Sequence, residues 1–490
     1  MSLTEFPIER KGFGRAVFCF GVLVTVYFLT SLGVASLLRF PLFGAGVLGL
    51  FAIAFVFAGW QFLHFGRNAV RRLRLLTGVV ELDKDDRFHQ RLANIVEELC
   101  AAAGEKRPLE CAVLPSCASN AFVAEDLGLK PLVVISEGML SHLSRPELLA
   151  VVAKLVAEIR TGIALNRTLA CGLFAFSQKR FLHWASRGLQ LFAPRCLHLQ
   201  SDALGAELCR DPMSLASALY EIAHRWRGET RFGAGCEALF VMDPAVRSLE
   251  EKNSLWAELR ASHPPLKKRL DALLKRVRLE LDARCPKAQA VTWFVHDANG
   301  VWQGPLDLAG FSRLDGVLAG SWVASCNTLQ VKRLGEDVTL AQAWRAKEGG
   351  GTSSLEKSTL ESPVFRQPML QTSYEKAPFY FCPFSEGCLV AESKLVSVVR
   401  RYQKAATSRS ARMAAFAQQA GPAPGVKLRQ GGYEGFSWPR CPVSCRKLER
   451  RFYKSGLAVE VDASPKQGLL WIGREEMTLL GCVFRERRSL

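Results

Sequence analysis

Residues 143–162 read Leu143-Ser144-Arg145-Pro146-Glu147-Leu148-Leu149-Ala150-Val151-Val152-Ala153-Lys154-Leu155-Val156-Ala157-Glu158-Ile159-Arg160-Thr161-Gly162. Apolar residues recur at helical spacing, and Ser144 with Glu147 forms a capping box at the start. The spacing predicts a helix over Arg145–Thr161. It carries no obvious catalytic residue. Lys154 and Glu158 stand four apart, so one helical turn brings them together as an ion pair.

The framing of this helix resembles the active-site helix of the HtpX/CAAX-type membrane zinc metalloproteases, roughly L-S-x-x-E-L-x-A-V-x-A-H-E-x-x-H. Leu143, Ser144, Glu147, Leu148, Ala150, Val151 and Ala153 match it. The chemistry does not. The resemblance puts the two zinc histidines at Lys154 and Glu158 and the catalytic glutamate at Leu155. In H-E-x-x-H the histidines share a zinc from one helix face while the glutamate serves as general base. A protonated ammonium cannot ligate zinc, and leucine moves no proton. The expectation is a protease scaffold whose reactive residues have been replaced.

The resemblance covers roughly 80–280. Asn120-Ala121-Phe122 is similar to the family's N-A-F segment. Val134–Leu140 resembles the strand and turn leading to the active-site helix; in the family that edge strand helps hold peptide substrate, and an ordinary core strand is the other reading here. Further on the family has E-x-x-x-D, whose glutamate is the third zinc ligand. Asp202 matches its aspartate, and His198 stands at the glutamate position. Asp211-Pro212, Asp243-Pro244 and His263-Pro264-Pro265-Leu266 with Arg269 match later landmarks. The resemblance implies a degenerate site at Lys154, Leu155, Glu158, His198, Asp202 and His263. No metal or other cofactor is expected there. Under the alternative, zinc binds a rearranged set of Glu158, His198 and Asp202, which requires His263 to lie close to His198.

The chain has 490 residues and a formal net charge of +18, enough for two to four domains. Its fifteen cysteines are too scattered for a small disulfide framework and would stay reduced in the cytosol. Residues 16–38 and 40–66 carry no charge beyond His64, and each run is long enough to cross a bilayer. Lys11 and Arg15 precede them, and Arg67, Arg71, Arg72 and Arg74 follow. The positive-inside rule therefore places both ends in the cytosol, with the hairpin in a bacterial inner membrane. Basic residues beside apolar spans favour anionic lipid as the partner over nucleic acid.

The fold class expected is α+β. It comprises an N-terminal transmembrane helical hairpin (1–75), a mostly helical metalloprotease-like domain with a small sheet (76–285), and small β-rich C-terminal modules. Within the domain, residues 80–105 read as one amphipathic helix, Cys111–Leu114 and Pro131–Ser136 as strands, and Lys267–Arg284 as a closing basic helix. Residues 163–193 read as helices lying on the membrane or packed in the domain.

Residues 290–345, with Trp293, Gly300, Trp302, Gly304-Pro305, Trp322 and Trp344, resemble a GYF-like module, which implies a proline-rich peptide as partner. A linker is read at 346–360 and another at 403–430. Residues 361–402 and 431–490 resemble TFIIB-type zinc ribbons whose ligand positions hold Ser362, Phe365, Cys382 and Ser385, then Trp438, Cys441, Ser464 and Gln467. A structural zinc site needs four ligands, so these ribbons are expected to be zinc-free. The chain reads as a membrane-anchored pseudoprotease acting as a binding, scaffold or regulatory protein. The alternatives are a metalloendopeptidase with a rearranged metal site and a tethered adaptor working through its C-terminal modules.

Overall fold

The computed structural model describes residues 12–37, 45–128, 130–175, 196–224, 239–242, 263–284, 292–297, 301–315, 317, 321–325, 331–334, 337–348, 357–363, 368–374, 377–382, 387–402, 408–419, 440–454 and 457–486. Two apolar helices come first, α1 (Gly12–Leu37) and α2 (Ala45–Arg67), packed on each other through Phe20, Leu23, Tyr27, Ala58 and Phe62. Among the described residues one helix, Gly46–Arg67, is long and apolar enough to cross a membrane. Its flanks are large exposed apolar side chains, Leu48, Ile53, Val56 and Trp60 among them. A short helix α3 (Ala69–Thr77) follows and ends at Gly78, whose φ of 66° suits a residue without a Cβ.

The first sheet has the order β1-β2-β4-β3, from Val80–Glu81, Glu110–Leu114, Pro131–Ser136 and Ala121–Glu125. Helix α4 spans Arg87–Ala103, starting later than the amphipathic pattern suggested. The cause is local: the Asp86 carboxylate caps the Phe88 amide, and Asp83 accepts from the Asp85 amide, so the acidic run turns instead of coiling. Strand β4 is interior: residues 131–136 pair with β2 on one side and β3 on the other, which agrees with a core strand and leaves no free edge there for a peptide. The edge belongs to β3. Residues 239–242 cover its start: the Val241 amide donates to Ala121 O at 2.8 Å, and the Phe122 and Phe240 rings lie 4.9 Å apart.

After a one-turn helix α5 (Glu137–His142), α6 runs from Arg145 to Arg160 with the capping box closed on both sides. It is buried on every face, which is why its apolar residues show no narrow stripe. Gly162, at φ 71°, turns the chain into α7 (Ile163–Ala175), which packs against α1 and α2. The rest of 163–193 lies outside the described residues. Helices α8 (Cys196–Cys209), α9 (Pro212–His224) and α10 (Leu266–Arg284) complete the bundle. The closest crossing is α6 on α8, where Gly205 has no room for a side chain: a Cβ there would lie 2.6 Å from Lys154 Cα.

Residues 293–348 form a four-stranded sheet, β6-β5-β7-β8, built from Trp293–His296 (β5), Trp302–Leu306 (β6), Trp322–Ser325 (β7) and Val331–Arg333 (β8). Helix α11 (Leu308–Arg313) follows β6, and α12 (Val338–Glu348) closes the module. Trp322 is buried edge-on against Tyr220 of α9, with ring centroids 4.5 Å apart.

The two stretches read as separate ribbons join in one seven-stranded sheet, β13-β14-β15-β12-β11-β10-β9, because β12 (Cys388–Ala391) pairs with β15 (Leu469–Ile472). Its remaining strands are β9 (Lys357–Glu361), β10 (Pro368–Tyr374), β11 (Ala377–Phe381), β13 (Glu449–Lys454) and β14 (Leu457–Ser464). The first of these corrects the linker read at 346–360. Helices α13 (Leu395–Tyr402), α14 (Ser408–Gln419) and α15 (Arg474–Glu486) complete this part.

The stretch 403–430 is corrected too, since α14 is a packed helix. Met413, Ala414 and Ala417 enter the core under the seven-stranded sheet. Phe416 enters the core beneath β2 and β3. Arg409 Nε meets Glu137 at 2.7 Å, and Arg412 meets Asp83 at 2.8 Å. One helix thus fastens the C-terminal sheet to the first domain.

Gly205→Val should destabilise the protein by about 1–3 kcal/mol, because the added carbons force α6 and α8 apart. Chemical denaturation of the full chain against Gly104→Val, whose Cβ meets open space but whose left-handed φ is strained, separates crowding from backbone strain.

Candidate functional site

The structure brings together five of the six positions singled out from the sequence and adds two arginines. Lys154 and Glu158 lie one turn apart on α6, fully buried. Lys154 Nζ donates to Glu158 Oε1 and, at 3.1 Å, to Ser201 Oγ on α8. Glu158 Oε2 accepts from Arg167 Nη1 of α7 at 3.0 Å. Asp202 is held by a two-toothed fork from Arg269 of α10, Nε to Oδ2 at 2.7 Å and Nη2 to Oδ1 at 2.9 Å. Lys154 Nζ lies 3.9 Å from Asp202 Oδ1 and so links the two pairs. The His198 and His263 rings are stacked at a tilt with centroids 4.2 Å apart. His263 Nε2–H donates to Phe240 O at 2.8 Å, and Arg269 donates to Val241 O at 2.8 Å, so the same groups hold the segment lying on the β3 edge. Leu155 does not join them; it packs in the main core.

Burial and neighbouring charge set the protonation states. Burial alone would raise the Glu158 carboxyl, but Arg167 and Lys154 outweigh it and hold the pKa at about 2. Burial lowers the Lys154 ammonium, and Glu158 and Asp202 oppose that. Burial followed by the Arg167 charge pushes His198 well below its ordinary value. His263 falls to about 3 through burial, which outweighs its bond to Phe240. Glu158 is therefore held as a carboxylate, and the His198 and His263 imidazoles are neutral.

Sequence reasoning passed over Arg167 and Ser201 and used Arg269 only as a landmark. Arg167 did leave a signal. A lone arginine inside Ile163–Ala175 needs a buried partner. Glu158 lies just across the Gly162 turn.

Of the ribbon positions, Phe365, Ser385 and Trp438 lie outside the described residues. Cys382 and Cys441 are both buried in one apolar cluster with Met369, Leu389, Leu448 and Trp471. A tight turn follows Cys441. Its backbone closes from the Cys441 amide to Arg446 O and from the Cys445 amide to Cys441 O, each at 2.8 Å. Burial raises the Cys441 thiol, but hydrogen bonds from Ser444, Ser464 and the Val443 amide reverse this and lower it. Of these, Ser464 is itself one of the ribbon positions, where a hydroxyl stands in place of a thiol. Gln467 is exposed in the 464–468 turn, and Ser362 is buried. The turn after Cys382 closes by its amide to Gly387 O at 2.8 Å, and Gly387 lets the Trp471 ring approach. In the 293–348 module, Trp302 Nε1 reaches Ser217 Oγ at 3.4 Å and His296 Nε2 lies 3.5 Å from Glu147.

Residues 86–277 match peptidase family M48. A protease HtpX homolog from Pyrococcus abyssi is 28% identical over 219 residues, 38% of this chain and 73% of that protein. Protease HtpX from Pseudomonas fluorescens is 25% identical over 256 residues, 46% of this chain and 85% of that protein. A crystal structure of Ste24p from S. mikatae aligns at a TM-score of 0.31 with 18% identity, over 52% of this chain and 62% of that one, under two thirds of its length. M48 peptidases are normally zinc-dependent, and HtpX homologues are membrane proteins.

The residues at the matching positions do not fit zinc. Lys154 offers an ammonium and Leu155 a hydrocarbon. Each oxygen of Glu158 already accepts from a cation, and both oxygens of Asp202 are taken by Arg269. A dication would also sit beside the Arg167 and Arg269 guanidiniums. Among the described residues, no three His, Cys, Asp or Glu side chains gather in metal-binding geometry.

Lys154→Ala should destabilise the fold by about 3–5 kcal/mol, because it removes one partner of a buried pair. Thermal unfolding of the full chain measures it. The neutral His263 gives a second outcome. Its folded pKa is below the unfolded value of about 6.5, so the unfolded state binds the extra proton and stability falls as pH drops from about 6.5 toward 3. His263→Asn should flatten that slope in denaturant titrations at several pH values.

Proposed function

We propose that this chain is a membrane-anchored pseudoprotease, an M48-type scaffold that binds or regulates another protein instead of hydrolysing peptide bonds. The observation that carries the reading is the double capture of Glu158 by Lys154 and Arg167 at the position where the family would place a zinc ligand. Leu155 adds to it, since metal-assisted hydrolysis needs a base for the attacking water. The ribbon positions support the same pattern: Cys441 keeps company with two serine hydroxyls, and Cys382 sits in an apolar cluster.

The anchor is a hairpin of α1 and α2 in a bacterial inner membrane, with the bulk of the chain on the cytosolic side. Supporting this are the apolar flank of Gly46–Arg67 and the arginines that follow it at 67, 71, 72 and 74. The bilayer is thus one partner. A proline-rich peptide on residues 290–345 is a second proposed partner, although Trp322 is engaged by Tyr220 and Trp302 by Ser217.

A second reading, a metalloendopeptidase with a rearranged site, is favoured by two observations. The family match covers 86–277, and His198 and His263 stand 4.2 Å apart. Metal content of the detergent-purified full chain separates the two readings. We expect near-zero zinc after dialysis without chelator, and no casein cleavage that a zinc chelator abolishes. One zinc per chain, or chelator-sensitive cleavage, would overturn the pseudoprotease reading.

A further inference from the structure

Two leucines that follow the apolar helix α2 stand in the open. Leu75 is 76% exposed and Leu76 51%. Both lie on α3, whose other face is buried: Val70 and Leu73 enter the core beneath β2 and β3. Helical spacing sets each leucine one turn after an arginine, Leu75 after Arg71 and Leu76 after Arg72. The outer face of α3 is therefore apolar and cationic at once. Arg74 is not part of it, since its guanidinium is paired with Glu110. Arg67 and Arg71 are exposed, and residues 10–80 hold no acidic side chain.

The end of α2 fixes where this face lies. Trp60 is exposed and stacks on His64 with ring centroids 5.3 Å apart, an arrangement suited to the headgroup level of a bilayer. The chain breaks at Asn68, and Arg72 of α3 reaches back to that level. Its Nη2 donates to His64 Nε2 at 3.0 Å, and its guanidinium lies 4.1 Å over the Phe65 ring. The Leu127 amide donates to Gly66 O at 2.9 Å, which pins the turn between β3 and β4 to the end of α2. A straight continuation of α2 would carry Leu75 and Leu76 roughly 12 Å or more past Arg67, into water, where exposed leucines gain nothing. Lying along the surface, the leucines reach the acyl boundary and the arginines meet lipid phosphates. We infer that α3 is an in-plane anchor for anionic phospholipid. Leu75 and Leu76 enter the leaflet, and Arg67, Arg71 and Arg72 hold the headgroup phosphates. The inference rests on the membrane-anchored reading and goes beyond it, because a spanning hairpin by itself does not select among headgroups.

The test uses the full chain in nanodiscs of phosphatidylcholine mixed with phosphatidylglycerol. A photoreactive benzophenone amino acid replaces Leu75 and, in separate samples, Leu48 of α2, which is 71% exposed, or Leu308 of α11, which is also exposed. After illumination, lipid adducts are identified by mass spectrometry. We expect adducts at Leu75 and Leu48 and none at Leu308. At Leu75 phosphatidylglycerol should be enriched about fivefold over its share of the disc, the weight of a single arginine at an anionic surface. The enrichment should vanish when Arg67→Gln, Arg71→Gln and Arg72→Gln are combined, and persist in Arg313→Gln, which removes an exposed charge from α11 instead. If the triple variant fails to fold, the adduct ratio at Leu75 with the arginines intact still decides.

Adducts at Leu48 but none at Leu75 would overturn the inference and leave the membrane anchor standing. Adducts at Leu75 that merely follow the disc composition would overturn it as well, as apolar contact without recognition of charge. No lipid adduct at either position would sink the anchor and the inference together.

Discussion

The Lys154–Glu158 pair, one helical turn apart and closed to water, sets terms that the surrounding elements have to meet. Two opposite charges in an apolar interior attract strongly, yet their desolvation offsets the gain unless further polar groups complete the shell. Three helices supply such groups. Ser201 comes from α8, Arg167 from α7, and Arg269 from α10 by way of Asp202. Gly205 permits α8 to approach closely enough for Ser201 to reach the ammonium. The crossing of α6 and α8 is therefore a matter of charge as well as packing.

The same network reaches the sheet. Arg269 and His263 both donate to carbonyls of 239–242, and that segment lies on the open edge of β3. An extended peptide arriving at β3 would meet this part of the chain first. The cluster thus joins the positions matching the family's zinc site to the edge strand of the first sheet. A scaffold that keeps a rigid polar core while covering its sheet edge suits binding through other surfaces. The opposite side of the domain is held by a separate device, the Arg409 and Arg412 contacts of α14 with Glu137 and Asp83.

Much of this was legible in the residues. The capping box at Ser144 and Glu147 and the i,i+4 spacing of Lys154 and Glu158 are local features, and local hydrogen-bonding chemistry gives them directly. The proximity of His198 and His263 was stated only as a condition, because 64 intervening residues separate them and no local rule spans that distance. The place of β4 was left open between an edge and a core strand for a related reason. An all-apolar strand signals burial on both faces but says nothing about its neighbours in the sheet. The ribbon stretches were read one at a time, so the pairing of β12 with β15 was out of reach. Helix α14 was missed because its alanines and glutamines resemble a linker, although Met413 and Phe416 four residues from Arg409 and Arg412 marked two working faces.

The central claim is that a buried ammonium–carboxylate network stands where the family would hold zinc. Anomalous scattering from crystals of the full chain, collected on either side of the zinc absorption edge, addresses that position directly. The account predicts no zinc peak near Lys154, Glu158 or His198, with the Lys154 side chain seated between Glu158 and Ser201. A zinc peak within bonding distance of Glu158 and His198, with Lys154 turned away, would contradict it.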